Sequence, residues 1–426
     1  MTENIKAVHL ADGVDGSTII TEPFKTSRVS VCGYLPLEAD RVAEYSMLSL
    51  LLSNGCADYP LPRGLNQRLE VLYGASVGFD CIKSGDRLLF VASIVFADDR
   101  FLPEPVFNDC VDLLMKMLFE PAVDEGGFLE HNFLREQRMQ IEYIEGKIND
   151  KRGYALSRCA ALMCEGEPFG LTETGTLEQA RQMDRRRVYD AWKRLLERAN
   201  FRISVIAQKE HPEVFERFLT LLKRSGKRDP YPVEPHRVRD AREQVLRVDE
   251  AMPIAQGKLA MGFRMQDFGP DSVSYPVMVF TDLFGGGPYS MLFSNVREKQ
   301  SLCYYCAARA VRCKGVMTVD SGVEFDKMEQ TEKAVLEQLE RMKKGEFTDE
   351  ELSASKLALC GSLRSAKDSQ AVMDRWYTER WFDSPRLSPE QVEQQIRGVT
   401  REDVVRVANG VRLDTVFRLV AKEDAR

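Results

Sequence analysis

The chain has 426 residues, 44% of them hydrophobic, with a formal net charge of −7. That length predicts two domains of about 200 residues rather than one core. The acidic balance and the scattered Lys and Arg argue against a nucleic-acid surface, and the lack of any run of about 18 apolar residues argues against a membrane-spanning helix. Residues 1–6 lack the basic-then-apolar form of a signal peptide. Ten cysteines are spread singly along the chain, the pattern of reduced core residues in a cytoplasmic protein.

In chain order, residues 29–34 read as a strand and lead to an apolar helix, Ser46-Met47-Leu48-Ser49-Leu50-Leu51-Leu52-Ser53-Asn54-Gly55-Cys56. Residues 66–72 read as a helix that breaks at Tyr73-Gly74-Ala75-Ser76. Residues 77–82 and 88–95 then form a strand pair turning at Ser84-Gly85-Asp86. A charged helix spans residues 135–144. A helix and then a strand, at residues 188–192 and 201–207, close the first half. Residues 225–236 hold three prolines in alternate positions, Pro230, Pro232 and Pro235, which favour extended chain. We therefore divide the chain into domains 1–224 and 251–426, joined by a linker, 225–250.

The second half repeats this plan. Residues 259–263 read as its opening strand. Residues 304–311 and 316–323 pair across Lys314-Gly315. Thr348-Asp349-Glu350-Glu351 and Ser388-Pro389-Glu390-Gln391 are capping boxes. The half closes on a helix and a strand holding Phe417, about half the chain from Phe201. Two copies of one α+β pattern predict an ancient duplication, with Phe201 and Phe417 in matching places.

Three motifs carry chemistry or exclude it. Cys303-Tyr304-Tyr305-Cys306 is a C-x-x-C, but residues three apart on a strand point to opposite faces, so no joint metal or redox role is expected. Gly285-Gly286-Gly287 is followed by Pro288-Tyr289-Ser290, not by the Lys and Ser/Thr of a phosphate loop. The four histidines, His9, His131, His211 and His236, include no pair three or four residues apart, so no helix bears a two-histidine metal face.

The run from Phe284 through Gly285-Gly286-Gly287 to Ser290, followed by Val296-Arg297-Glu298-Lys299-Gln300-Ser301-Leu302-Cys303-Tyr304, resembles the glycine-rich, arginine- and tyrosine-bearing segment of the pitrilysin/insulinase metallopeptidases. These include the mitochondrial processing peptidases. The segment Ser46 to Cys56 sits where that family carries its zinc helix. Anchored on Gly55, its two histidines fall on Ser46 and Leu50 and its catalytic glutamate on Ser49. An H-x-x-E-H helix holds zinc with two imidazoles one turn apart and takes a proton from zinc-bound water with the carboxylate. Serine and leucine supply none of this. Aligning Glu136 places Tyr143 at the third-ligand position and leaves Glu142 one step, about 100°, round the helix.

Leu72-Tyr73-Gly74-Ala75-Ser76 and Lys151-Arg152-Gly153-Tyr154 are similar to a zinc-motif-lacking bacterial branch of the YfmF/YmfF type. That branch is associated with elongation factor P modification genes. The resemblance implies a fold of two homologous α/β-sandwich domains of the LuxS/MPP-like metallohydrolase type. It also implies substrate binding by Arg297 and Tyr304 beside Gly285, Gly286 and Gly287. Guanidinium offers forked donors and phenol can donate to an oxyanion. Ser301 departs from the family's glycine. The expected protein is a zinc-free cytoplasmic subunit without cofactors or activity of its own. It would pair with a zinc-bearing pitrilysin-like subunit as a heterodimer, or with itself as a homodimer, around a peptide or unfolded polypeptide. The alternative is an interaction protein that holds a peptide and has no peptidase role.

Overall fold

The computed structural model describes residues 5–266 and 275–422. Residues 1–4 of the segment read for a signal peptide lie outside them. The first sheet contains β1 (Ile5–Ala11), β2 (Val14–Ile20), β3 (Thr26–Pro36), β4 (Ser76–Ser84) and β5 (Arg87–Ala97). A two-residue pair, β6 (Val123–Asp124) and β7 (Gly127–Phe128), stands apart, and β8 (Asn200–Ala207) completes the sheet. The second sheet contains β9 (Leu246–Met252), β10 (Gly257–Met265), β11 (Cys303–Val311), β12 (Val316–Val323) and β13 (Val411–Ala421).

The strand orders are β1-β2-β8-β3-β5-β4 and β11-β12-β10-β13-β9. With β1 set aside, they are the same order. In each sheet the first strand of the series runs parallel to the last, β2 beside β8 and β9 beside β13. The other pairings in these shared orders are antiparallel. The fold is α+β, built twice on one plan. Phe201 and Phe417 lie on equivalent strands at different depths, second in β8 and seventh in β13. The expected hairpins form at Gly85 and Gly315, and both expected capping boxes are present.

Neither sheet begins where the sequence pattern suggested. β1, β2 and β9 precede the strands read at residues 29–34 and 259–263, and β9 occupies the end of the expected linker. The exposed run in β1 and the alternating exposure of β9 leave no sustained apolar signal.

The chain forms two compact units, and each includes a helix from the other half of the sequence. The first comprises residues up to Glu145, Leu171–Glu234 and Ser369–Trp381. The second comprises Gly146–Gly170, Pro235–Asp368 and residues from Phe382 onward. A single cut at 225–250 does not follow this exchange. In the first unit, Val29, Val31 and Leu35 of β3 face a core with helices Val42–Ser53, Phe107–Phe119 and Arg185–Arg198. The opposite face receives helix Gln370–Glu379 through Ile19, Ile206, Met373 and Tyr377. In the second unit, helix Lys151–Met163 packs Ala155 and Cys159 on Ala260, Phe417 and Leu419.

Both exchanged segments are fixed by buried charge. Asp374 accepts from Arg28 Nε at 3.0 Å and from Arg202 Nη1 at 3.2 Å, and Arg202 also donates to Thr378 Oγ1 at 2.6 Å. The Arg202 side chain is fully buried. In the second unit, Glu167 pairs with Arg264 of β10 and, at 3.1 Å, with Lys314. Burial alone would raise the Asp374 carboxyl, but the Arg202 and Arg28 charges outweigh it and hold it below its usual value of 3.8. The carboxylate therefore stabilises the fold above the unfolded pKa, and that contribution is lost as pH falls through the folded one. Asp374→Ala should cost about 3–5 kcal/mol at neutral pH, because it strands a buried arginine. In urea denaturation, mutant and wild type should converge only in acid below the ordinary carboxylate range.

Candidate functional site

Helix Val42–Ser53 is buried on almost every side, from Val42 to Ser49 and at Leu51 and Leu52. A helix without a polar face is stable only when enclosed. Its buried Glu44 is held by Arg187 at 2.9 Å and Arg194 at 3.0 Å, both on helix Arg185–Arg198. Ser46 and Ser49 are buried, and Leu50 is half-buried.

A neutral hydrogen-bonded group occupies the positions matched to zinc ligands. Gln140 on helix Glu130–Gly146 donates from Nε2 to Ser46 Oγ at 3.1 Å and lies 3.4 Å from the Thr174 carbonyl. Ser49 Oγ donates to the Ser46 carbonyl at 2.8 Å. Cys81 Sγ reaches the Tyr45 carbonyl at 3.2 Å, and burial holds its thiol well above the usual range. Zinc takes imidazole, thiolate or carboxylate donors. Two hydroxyls, an amide, an aliphatic chain and a protonated thiol do not fit it. Among the described residues, no three His, Cys, Asp or Glu side chains are grouped to hold a metal.

Sequence reasoning missed Gln140. Tyr143, matched to the third ligand, is 59% exposed, whereas Gln140 one turn earlier is buried against Ser46. Phe133, Glu136 and Gln140 share the buried stripe of their helix. That spacing of three and four was the available signal. Glu142 is exposed.

The second group of predicted residues lies in the other unit. Gly285 is buried at the end of helix Tyr275–Gly285, and a Cβ there would come within 2.5 Å of the Ala308 backbone nitrogen. Only glycine lets the helix end close so tightly on β11. Gly286 is exposed, and its N–H donates to the Asp282 carbonyl at 2.7 Å. Gly287 lies against the Tyr289 ring. Tyr289 Oη and Ser355 Oγ both donate to Asp282 Oδ2, at 2.8 and 2.6 Å.

Arg297 lies on a π-helical turn, Leu292–Lys299, a form that recurs at functional sites. Its guanidinium lies 4.5 Å over the Phe293 ring and 3.6 Å from Glu298. The chain then passes through Ser301 at φ 51°, the left-handed conformation that favours the glycine found in the resembled segment. Tyr304 follows on β11, the edge strand of its sheet. Cys303 pairs with Val323 and Tyr305 with Gly322, which leaves Tyr304 as the extra residue of a β-bulge. A bulge re-aims the side chain it carries. Tyr304 is 58% exposed, with its hydroxyl 3.4 Å from Glu324.

The bulge also corrects the reading of the C-x-x-C. Cys303 and Cys306 oppose Val323 and Ser321, two residues apart on β12, so the two cysteines share one face. The extra residue cancels the alternation that would have separated them.

Residues 182–359 match the family model described as the peptidase M16 inactive domain. A protein of Bacillus subtilis named "Probable inactive metalloprotease YmfF" is 27% identical over 97% of both chains. The solved structure of a conserved protein from Enterococcus faecalis superposes with a TM-score of 0.91, at 26% identity, over 98% of this chain and 99% of its own.

Residues 182–359 thus match an M16 peptidase domain, and nearly the whole chain is similar to M16-like proteins. A further relative, an "Uncharacterized zinc protease YmxG" of Bacillus subtilis, is 29% identical over 27% of this chain and 28% of its own. This chain is an M16-metalloprotease-like protein, and the helix matched to the zinc helix carries no zinc donor at Ser46, Ser49 or Leu50. If the neutral group now holds that helix in place, Gln140→Leu should cost about 1–3 kcal/mol, because the Ser46 hydroxyl loses a buried partner. Chemical denaturation of the mutant measures it. Glu145→Ala on the same helix, whose ion pair with Arg181 is exposed on both sides, should cost less.

Proposed function

We propose that this chain is the zinc-free subunit of a two-subunit M16-type peptidase in the cytoplasm. A zinc-bearing M16 partner would supply the metal helix, and this chain would supply Arg297, Tyr304 and half of a chamber around an unfolded peptide. The observation that carries the reading is the contrast between the two sites. The positions matched to zinc ligands are filled by a neutral network, while Tyr304 is turned outward by a bulge. The occurrence in one bacterium of one relative named inactive and another named a zinc protease is consistent with such a pair.

The two halves of the chemistry are separable. Positioning a peptide and stabilising charge on its reacting carbonyl need donors at fixed places, which guanidinium and phenol supply. The interaction-protein reading keeps the peptide contact and drops the catalytic one. It is favoured by the same loss of zinc donors.

Reconstitution with a zinc-bearing M16 chain separates the two readings. Arg297→Ala and Tyr304→Phe should each lower peptide cleavage by a factor of about 10² to 10³, if each removes one donor to the oxyanion. Gel filtration should show the complex intact. Cleavage unchanged in both variants would withdraw the assignment. A chain that binds peptide, but yields no activity with any zinc-bearing relative from its own cell, would be the interaction protein. Alone, the purified chain should hold no stoichiometric zinc by metal analysis.

A further inference from the structure

The C-x-x-C that the sequence pattern set aside is a facing pair. Cys303 and Cys306 lie on the side of β11 that also carries Ala308, against which helix Tyr275–Gly285 closes at Gly285. Cys306 is 5% exposed and Cys303 partly exposed. Their side chains hydrogen-bond to each other, and the Ser321 hydroxyl lies beside both. Tyr305 points to the other face, over Gly322, with the Arg152 guanidinium 4.3 Å above its ring. Nothing in the proposed subunit role uses these two sulfurs.

We propose that Cys303 and Cys306 form a reversible thiol–disulfide site that reacts with low-molecular-weight disulfides. Cys303 is the attacking sulfur, since it is the accessible one. Its thiol is pulled down to about 7 by the hydrogen bond from Cys306, with burial opposing and Ser321 and the Arg297 charge assisting. Cys306 is pushed well up by that same bond, by burial and by the Cys303 and Asp320 charges, so it is the sulfur that keeps its proton. A thiolate beside a retained thiol is the arrangement in which one sulfur attacks and the other resolves.

The exchange balances in two steps. The Cys303 thiolate attacks one sulfur of a disulfide RSSR, forms a mixed disulfide and expels RS⁻. Cys306 gives up its proton and attacks Cys303 Sγ, closing the intrachain disulfide and expelling the second RS⁻. Two cysteine thiols are oxidised, one small disulfide is reduced, and the two thiol protons end on two molecules of RSH.

Strand geometry sets the character of the product. The partners Val323 and Ser321 are two residues apart, so the cysteine Cα atoms are separated by about 6.7 Å. Disulfides span up to about 6.8 Å, and those near the limit are the more easily reduced. The bulge, which already departs from the regular ladder, is where the backbone can give. This site does not depend on the peptidase-subunit reading and would stand if that reading failed.

Trypsin cleaves after Lys299 and Arg309, so one peptide, residues 300–309, holds both cysteines and no other. The folded protein is treated with oxidised glutathione, digested and weighed, with circular dichroism confirming that each variant is folded. In the wild type, residues 300–309 should lose two hydrogens and regain them with dithiothreitol. Cys306→Ala should trap glutathione on Cys303, and Cys303→Ala should yield neither product. A wild-type peptide that stays in the dithiol form, or that stops at the glutathione adduct, overturns the proposal. So does a folded Cys306→Ala protein with no adduct at Cys303.

Discussion

Each sheet of this protein depends on a charge pair buried where a helix from the other half of the sequence docks. Asp374 enters the first unit between Arg28 and Arg202, and Glu167 enters the second between Arg264 and Lys314. Such pairs add little net stability compared with apolar packing, because desolvating the charges offsets their attraction. Their weight lies in what misplacement costs. A helix docked one turn out of register would take the carboxylate away from buried Arg202 or Lys314. The charges thus specify where the exchanged helices lie, while the apolar contacts of Met373, Tyr377, Ala155 and Cys159 supply the burial.

With both sheets held in this way, the two regions matched to the resembled family's motifs differ in character. The helix matched to the zinc helix is a packed core element. Ser46, Ser49 and Gln140 are joined there by hydrogen bonds without net charge. An unpaired imidazole or carboxylate at those buried positions would have to be desolvated or neutralised, so neutral side chains suit them. The π-helical turn, the left-handed Ser301 and the bulge at Tyr304 are locally irregular, and irregular backbone of this kind is where side chains are re-aimed.

Much of the architecture was legible in residue patterns. The hairpins at Gly85 and Gly315, the capping boxes at Thr348 and Ser388, and the helix-then-strand closure of each half rest on contacts a few residues apart. Thr176 and Thr400 form capping boxes of the same kind. β1, β2 and β9 were not recognised. Edge position leaves β1 and β9 without a continuous apolar run, and Asp15 and Gly16 interrupt β2. On the candidate site, Ser46, Ser49, Leu50, Arg297 and Tyr304 were picked out by motif. Gln140 was passed over for Tyr143, because a motif match counts positions and does not say which face of a helix is buried.

The sequence by itself determined the loss of zinc donors, since no fold can make ligands of Ser46 and Leu50 or supply a missing histidine pair. It also determined the doubled α+β plan, because hydrophobic period and turn residues act locally. Tertiary structure alone decided the exchange of helices 151–163 and 370–379, the meeting of Gln140 with Ser46 across 94 residues, and the bulge that puts Cys303 and Cys306 on one face. The physical reason is common to all three. Each depends on which distant strand or helix lies opposite, and on pairing in which one extra residue reverses every face assignment beyond it.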